Sequence, residues 1–183
     1  MGPADPLPPD CTRILIAGTA GAGKTTLGDQ LAEKLSLPRY EMDNLHWGPG
    51  WTTRPDFHAD VADMAASDAW VTEWQYREAR QTLAQRAQVL IWLDYSAARR
   101  MYWVTRRTVM RRLRQQPIWE SGLHEKPLHT VFTQEEHIIR WAWRTRRSLD
   151  QLPQVAEQNF PHVVIYRFGS PAQTQRWLQT AAS

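Results

Sequence analysis

Residues Gly18-Thr19-Ala20-Gly21-Ala22-Gly23-Lys24-Thr25 match the pattern G-x-x-x-x-G-K-[ST] in full. The residue types suit the holding of phosphate. Glycines let successive backbone N–H groups converge on phosphate oxygens, and a helix starting at the end of the loop adds partial positive charge. By this chemistry Gly18, Ala20, Gly21, Ala22, Gly23, Lys24, Thr25 and Thr26 bind a nucleoside triphosphate. Lys24 then reaches the β- and γ-phosphates, and the Thr25 hydroxyl ligates Mg²⁺. Phosphoryl transfer asks a protein for positioning and charge neutralisation more than for covalent help. Three carboxylates stand where strands are expected to end: Asp43, Glu73 and Asp94. Asp94 reads equally well as a turn or cap residue, because a helix is expected to start just beyond it.

Arginines supply the opposite charge. Arg107, Arg111 and Arg114 recur at i, i+4 and i+7, as do Arg140, Arg144 and Arg147, so each set lines one helix face. Few acids lie nearby to neutralise them, which favours a phosphate-bearing partner. The six histidines show no metal-ligand spacing, although His46 follows Asp43 closely enough to line the same pocket. Trp47, Trp51, Trp74 and Tyr76 cluster around the same two strand ends and suggest an aromatic wall for a flat acceptor.

The elements that must position these groups follow from the apolar pattern. Arg13–Ala17 is a short apolar, β-branched run that reads as a buried strand, and Leu27, Leu31 and Leu35 give the helix after the loop one apolar face. A second strand is expected over 39–42, delivering Asp43 to its C-terminal end, and a third over 69–72, delivering Glu73. A helix capped by Thr53 separates them, and a short helix over 77–86 follows. A buried strand over 88–93, a basic helix over 97–115, and an irregular segment to about 133 come next. Thr133 with Glu136 forms a capping-box signature for a second long helix to about 150. A strand over 162–166 and a helix opening at Ser170-Pro171 finish the chain. Strands alternating with helices predict an α/β fold, a five-stranded parallel sheet covered on both faces, with ligands at the C-terminal strand ends.

A chain of 183 residues is large enough to bury a proper core and reads as one domain over 12–183, preceded by a proline-rich, disordered leader at 1–11. The ten tryptophans are spread along the chain and are expected mostly in core or pocket wall. Cys11 is the one cysteine and cannot pair internally, which fits a reducing cytoplasm. No apolar run approaches the ~20 residues of a membrane span, and no signal peptide is visible. The net charge of +3 is modest but concentrated between 99 and 147. Such a cluster suits nucleic acid, an acidic lipid surface or the phosphates of a small substrate, and the phosphate loop tilts the choice to the last.

The order of these motifs resembles the adenylate-kinase-like branch of small P-loop kinases, and within it the bacterial group labelled topology modulation protein or adenylate kinase-related kinase. The resemblance rests on the P-loop, on Asp43-Asn44-Leu45-His46-Trp47 with Pro49-Gly50-Trp51 behind it, on Trp70-Val71, on Ile91-Trp92-Leu93-Asp94 and on the arginine-rich helix. It implies a P-loop NTPase three-layer sandwich with a helical lid inserted at about 115–134. It implies that Asp43 is the acceptor-binding acid, able to orient or deprotonate an attacking hydroxyl. Glu73 is then a metal-site acid beside Thr25, and the lid arginines, Arg107 and Arg111 first and Arg140 and Arg144 next, close over the transferring phosphoryl group. Where relatives carry Asp-Gly-Asn-Tyr after the third strand, this chain has Glu73-Trp74-Gln75-Tyr76, so the acceptor pocket is expected to differ in shape. The implied activity is Mg-ATP-dependent phosphorylation of a small molecule, with nucleotides and nucleosides among the candidates. The alternatives are a regulatory nucleotide-binding protein whose basic helices contact nucleic acid or a protein partner, and a simple NTPase.

Overall fold

The computed structural model describes residues 5–114, 128–131 and 137–180. Five parallel strands, β1 (Arg13–Ala17), β2 (Arg39–Tyr40), β3 (Trp70–Glu73), β4 (Val89–Leu93) and β5 (Val164–Phe168), form one sheet in the order β2-β3-β1-β4-β5. Alternation along the strands sorts side chains onto two faces. Leu15, Ala17, Trp70, Leu90 and Trp92 point to one, where α3 (Phe57–Ala66), α4 (Arg80–Arg86) and α7 (Leu152–Asn159) cover them with Phe57, Val61, Leu83 and Leu152. Ile14, Ile16, Val71, Val89 and Ile91 point to the other, covered by α1 (Lys24–Leu35) and α8 (Pro171–Thr180) through Leu27, Leu31 and Trp177. Helix, sheet and helix make the three-layer sandwich, with the strand ends free to carry a site.

Several elements depart from the sequence expectation, each for a local reason. β2 ends at Tyr40, and Asp43 lies in a short helix α2 (Met42–His46), not at a strand terminus. Asn44 Nδ2 donates to Glu41 Oε2 at 3.1 Å and the Asn44 amide to the Glu41 carbonyl at 3.1 Å, so the acidic and amide side chains draw the chain into a turn. The basic helix is α5 (Ala97–Leu113), with Arg114 at its C-cap. The capping pair Thr133 and Glu136 and most of the lid segment lie outside the described residues. The helix expected there to about 150 is α6 (Ile138–Arg144), with His137 Nδ1 accepting the Ile139 amide at its start. Beyond Thr145 the chain runs in turns, with the Arg146, Ser148 and Asp150 amides each donating three residues back, and Arg100 Nη2 donates to the Arg146 carbonyl at 2.8 Å. Arg147 lies beyond the helix that carries Arg140 and Arg144.

From Asp5 onward the leader makes contacts with the domain. Trp177 Nε1 donates to the Asp5 carbonyl at 3.0 Å, the Tyr166 hydroxyl donates to the Pro6 carbonyl at 2.5 Å, and Leu7 and Cys11 pack against the α1/α8 core. Burial pushes the Cys11 thiol up to about 11. Trp70, Trp92 and Trp177 are core residues as expected, Trp74 is buried with them, and Trp103, Trp141 and Trp143 are exposed on α5 and α6.

Candidate active site

The P-loop begins directly where β1 ends. Gly21 and Gly23 have φ of +77° and +86°, backbone that favours glycine, and the Ala22 amide donates to the Thr19 carbonyl at 3.1 Å to close the turn. Gly23 caps α1, so Lys24, Thr25 and Thr26 occupy its first turn, where backbone N–H groups have no partner within the helix. Gly18, Ala20 and Ala22 complete the loop wall. A Cβ on Gly18 would fall 2.9 Å from that of Ala22. This cradle, with positive-φ glycines leading into a helix N-terminus, fits phosphate.

Parallel pairing brings Glu73 beside it. Ile16 of β1 is in register with Glu73 of β3, so the carboxylate emerges level with the start of the loop. Glu73 is 6% exposed. Its Oε1 accepts from the Thr25 hydroxyl at 2.9 Å, and its Oε2 lies 3.7 Å from Lys24 Nζ. The three residues assigned to phosphate and metal thus meet. A hydroxyl and a carboxylate beside a phosphate cradle are the oxygen donors that Mg²⁺ takes when substrate phosphates complete its shell.

Asp43 forms the second half. The Tyr76 hydroxyl donates to Asp43 Oδ1 at 2.6 Å and Gln75 Nε2 donates to the same oxygen at 2.7 Å. Burial raises the Asp43 carboxyl above the ordinary range, the Tyr76 bond works against that shift, and the nearby Glu73 charge adds to it. The Tyr76 hydroxyl is itself pushed up, by burial first and then by the Asp43 charge. Tyr76 adopts φ +51°, the left-handed region that costs a residue with a side chain roughly 1–2 kcal/mol. Consecutive residues here serve opposite purposes. Trp74 goes into the core, where its Nε1 donates to the Arg80 carbonyl at 3.1 Å, while Gln75 and Tyr76 reach Asp43. Trp74 is therefore no part of the acceptor wall. The wall is built instead by His46, stacked on Tyr76 at 3.9 Å between centroids and 9° between planes, with Trp47 and Phe57 edge-on to His46 at 4.4 and 4.8 Å. The Trp51 side chain lies outside the described set.

Asp94 belongs elsewhere. It accepts from Arg167 Nε at 3.0 Å and Nη2 at 2.6 Å, and Arg167 lies over the Trp92 ring at 4.7 Å. This ion pair ties the ends of β4 and β5.

The arginines divide in a way that spacing alone did not show. Arg100, which the sequence did not single out, is 9% exposed, and its Nη1 donates to the Thr19 hydroxyl of the P-loop. Val104 packs one turn on, where a Cβ added to Gly21 would meet its Cγ2 at 2.6 Å. Arg107 and Arg111 continue this stripe at i+7 and i+11 from Arg100, roughly 10 and 16 Å along the axis. α6, carrying Arg140 and Arg144, packs against α5. The stripe thus starts on the phosphate loop and runs along α5 toward its C-terminal end.

No protein-family model matches the chain, and no curated protein matches it. Solved structures do. A shikimate kinase from Acinetobacter baumannii in complex with shikimate superposes with a TM-score of 0.50 at 15% identity, covering 92% of this chain and 90% of that one. The chain has the fold of the P-loop kinases. A shikimate kinase from Bacteroides thetaiotaomicron (TM-score 0.48, 16% identity, 92% and 94% covered) and a gluconokinase from Sinorhizobium meliloti 1021 (0.48, 18%, 93% and 91%) are similar at a lower level. Among the described residues, no helix is long and apolar enough to cross a membrane.

Proposed function

We propose that this protein is a Mg-ATP-dependent phosphotransferase acting on a small-molecule acceptor, akin to the topology modulation or adenylate kinase-related group. The observation that carries the reading is the meeting of Lys24, Thr25 and Glu73 at one buried carboxylate, with Asp43 held at the same sheet edge by Tyr76 and Gln75. When bound, Mg²⁺ would neutralise charge on the transferring phosphates. Thr25 and Glu73 would hold it, Lys24 would neutralise the β- and γ-oxygens, and the loop from Gly18 to Thr26 would bind the nucleotide. Asp43 orients the acceptor hydroxyl and takes its proton. Arg107, Arg111, Arg140 and Arg144 close from α5 and α6 over the phosphates. In this reading residues 12–183 are a single kinase domain of the cytoplasm, with a lid at about 115–134. The aromatic wall of His46, Trp47 and Tyr76 suits a ringed acceptor such as a nucleoside or nucleotide.

The deciding experiment is ADP release from Mg-ATP across a panel of nucleoside monophosphates, nucleosides and hydroxylated metabolites. Stimulation by one compound class, lost in Lys24→Ala, supports the kinase. A uniform background despite tight ATP binding overturns it for that panel. It would favour a second reading, in which the protein uses ATP as a ligand and its basic helices bind nucleic acid. One observation favours that reading: Trp103, Trp141 and Trp143 are exposed among arginines, the combination on which bases stack. Such binding would fall steeply with salt and persist without nucleotide.

A further inference from the structure

Arg39, the first residue of β2, extends its side chain between α1 and β3 into the back of the phosphate site. Nη2 is 3.1 Å from Glu73 Oε1, the oxygen that also accepts from Thr25. Nη1 donates to the Tyr40 carbonyl and, at 3.4 Å, to the Val71 carbonyl, and Nε lies 3.4 Å from Asp29 Oδ1. The side chain is 13% exposed, so it is packed behind the site rather than open to an acceptor. Gly28 makes the space. A Cβ there would fall 2.5 Å from Arg39 Nε and 2.8 Å from Cζ, so any larger residue displaces the guanidinium.

Glu73 is a buried carboxylate with three partners, Lys24, Thr25 and Arg39. The reaction proposed above draws two of them away, Lys24 toward phosphate and the Thr25 hydroxyl toward the metal. A buried charge stripped of its partners is costly and moves. Arg39 is the one of the three that neither phosphate nor metal would draw away. We infer that Arg39 is a positioning residue, which holds Glu73 at the metal position while Lys24 and Thr25 turn to the nucleotide, and that Gly28 exists to admit it. The inference rests on the kinase reading of the site. Charge and position pull in opposite directions here. A cation this close repels a divalent metal, so on charge alone its removal would strengthen Mg²⁺ coupling, whereas loss of positioning weakens it.

The test is calorimetric ATP binding, in Mg²⁺ and in EDTA, for the wild-type chain, Arg39→Met, Arg39→Lys and Gly28→Ala, each with a urea midpoint. The readout is the ratio of the two affinities. Arg39→Met is expected to lower it roughly 10–100-fold, the usual cost of removing a residue that orients a metal ligand, with EDTA affinity held. Gly28→Ala should lower it too, although alanine is the better helix former and the guanidinium charge is retained. Arg39→Lys should fall between. An unchanged or raised ratio in both Arg39→Met and Gly28→Ala overturns the assignment and makes Arg39 a strap between β2 and α1. If Arg39→Met fails to fold, Gly28→Ala decides. A wild-type ratio near one overturns the metal site and this inference together. A large wild-type ratio that both variants retain overturns this inference alone.

Discussion

The Tyr76 hydroxyl and Asp43 Oδ1 are 2.6 Å apart, across 33 positions of sequence, and both groups are pushed toward their protonated forms by burial. Asp43 therefore binds its proton more tightly in the folded chain than in the unfolded one. Its ionisation contributes nothing to stability in acid, where both states are protonated, and weighs against folding once the pH has risen through the folded value. An asparagine amide in its place would imitate the protonated carboxyl. Asp43→Asn is expected to gain urea resistance relative to wild type as the pH is raised from about 3 to 7, while turnover falls ~10²–10⁴-fold, the range of a lost general base. A gap that narrows with rising pH would mean that the carboxylate is held down rather than up.

Gly21 and Gly23 share positive φ but not surroundings. A Cβ at 21 would meet the Arg100 carbonyl oxygen at 2.5 Å, and one at 23 would meet nothing within 4 Å. Gly23→Ala should cost only the left-handed backbone, about 1–2 kcal/mol. Gly21→Ala must also push α5 away from the loop. Paired urea melts and ATP titrations should show Gly21→Ala as clearly the worse variant on both counts, and equal effects would contradict the packing of α5 on the loop.

Arg100 braces two things at once, the Thr19 hydroxyl in the P-loop and the Arg146 carbonyl after α6. Its guanidinium is buried, and desolvation lowers its pKa. Arg100→Ala should destabilise the fold by about 1.5–3 kcal/mol, the range for bonds to a charged group, and should weaken ATP binding. Arg100→Lys cannot span both acceptors and should recover only part of either. Differential scanning fluorimetry with and without ATP separates the two effects.

Arg107 extends the same stripe past Val104 but lies beyond the loop. If it closes on the transferring phosphoryl group, Arg107→Ala should lower turnover by ~10³-fold or more, as removal of an arginine finger does, with ATP affinity changed little. Single-turnover assays beside equilibrium binding would show this. Full activity in the variant would return Arg107 to a purely basic surface.

How far the sequence carried depended on how local each signal was. The loop, its strand and its helix were legible because glycine spacing and apolar period act over a few residues, and the run through β3 placed Glu73 at a strand end. Asp43 was singled out from its neighbours in sequence, although the strand meant to deliver it gives way to the Glu41–Asn44 turn. Arg39 and Arg100 were not legible. Their partners lie 34 and 81 positions away, and neither stands in a pattern that marks it. Gly28 carried the one faint sign, a glycine inside a helix that has no turn to make. Trp74 reads as pocket wall from its neighbours in sequence, yet it continues the alternation of β3 and shares the core face of Trp70.

The shortness of β2 bears on solubility. A sheet's outermost strand presents unpaired N–H and C=O groups that can recruit an extended segment of a second molecule, and such templating seeds aggregation. Here that strand is two residues long, so it presents few such groups. Glu41 follows directly and brings like charge to any copy that approaches.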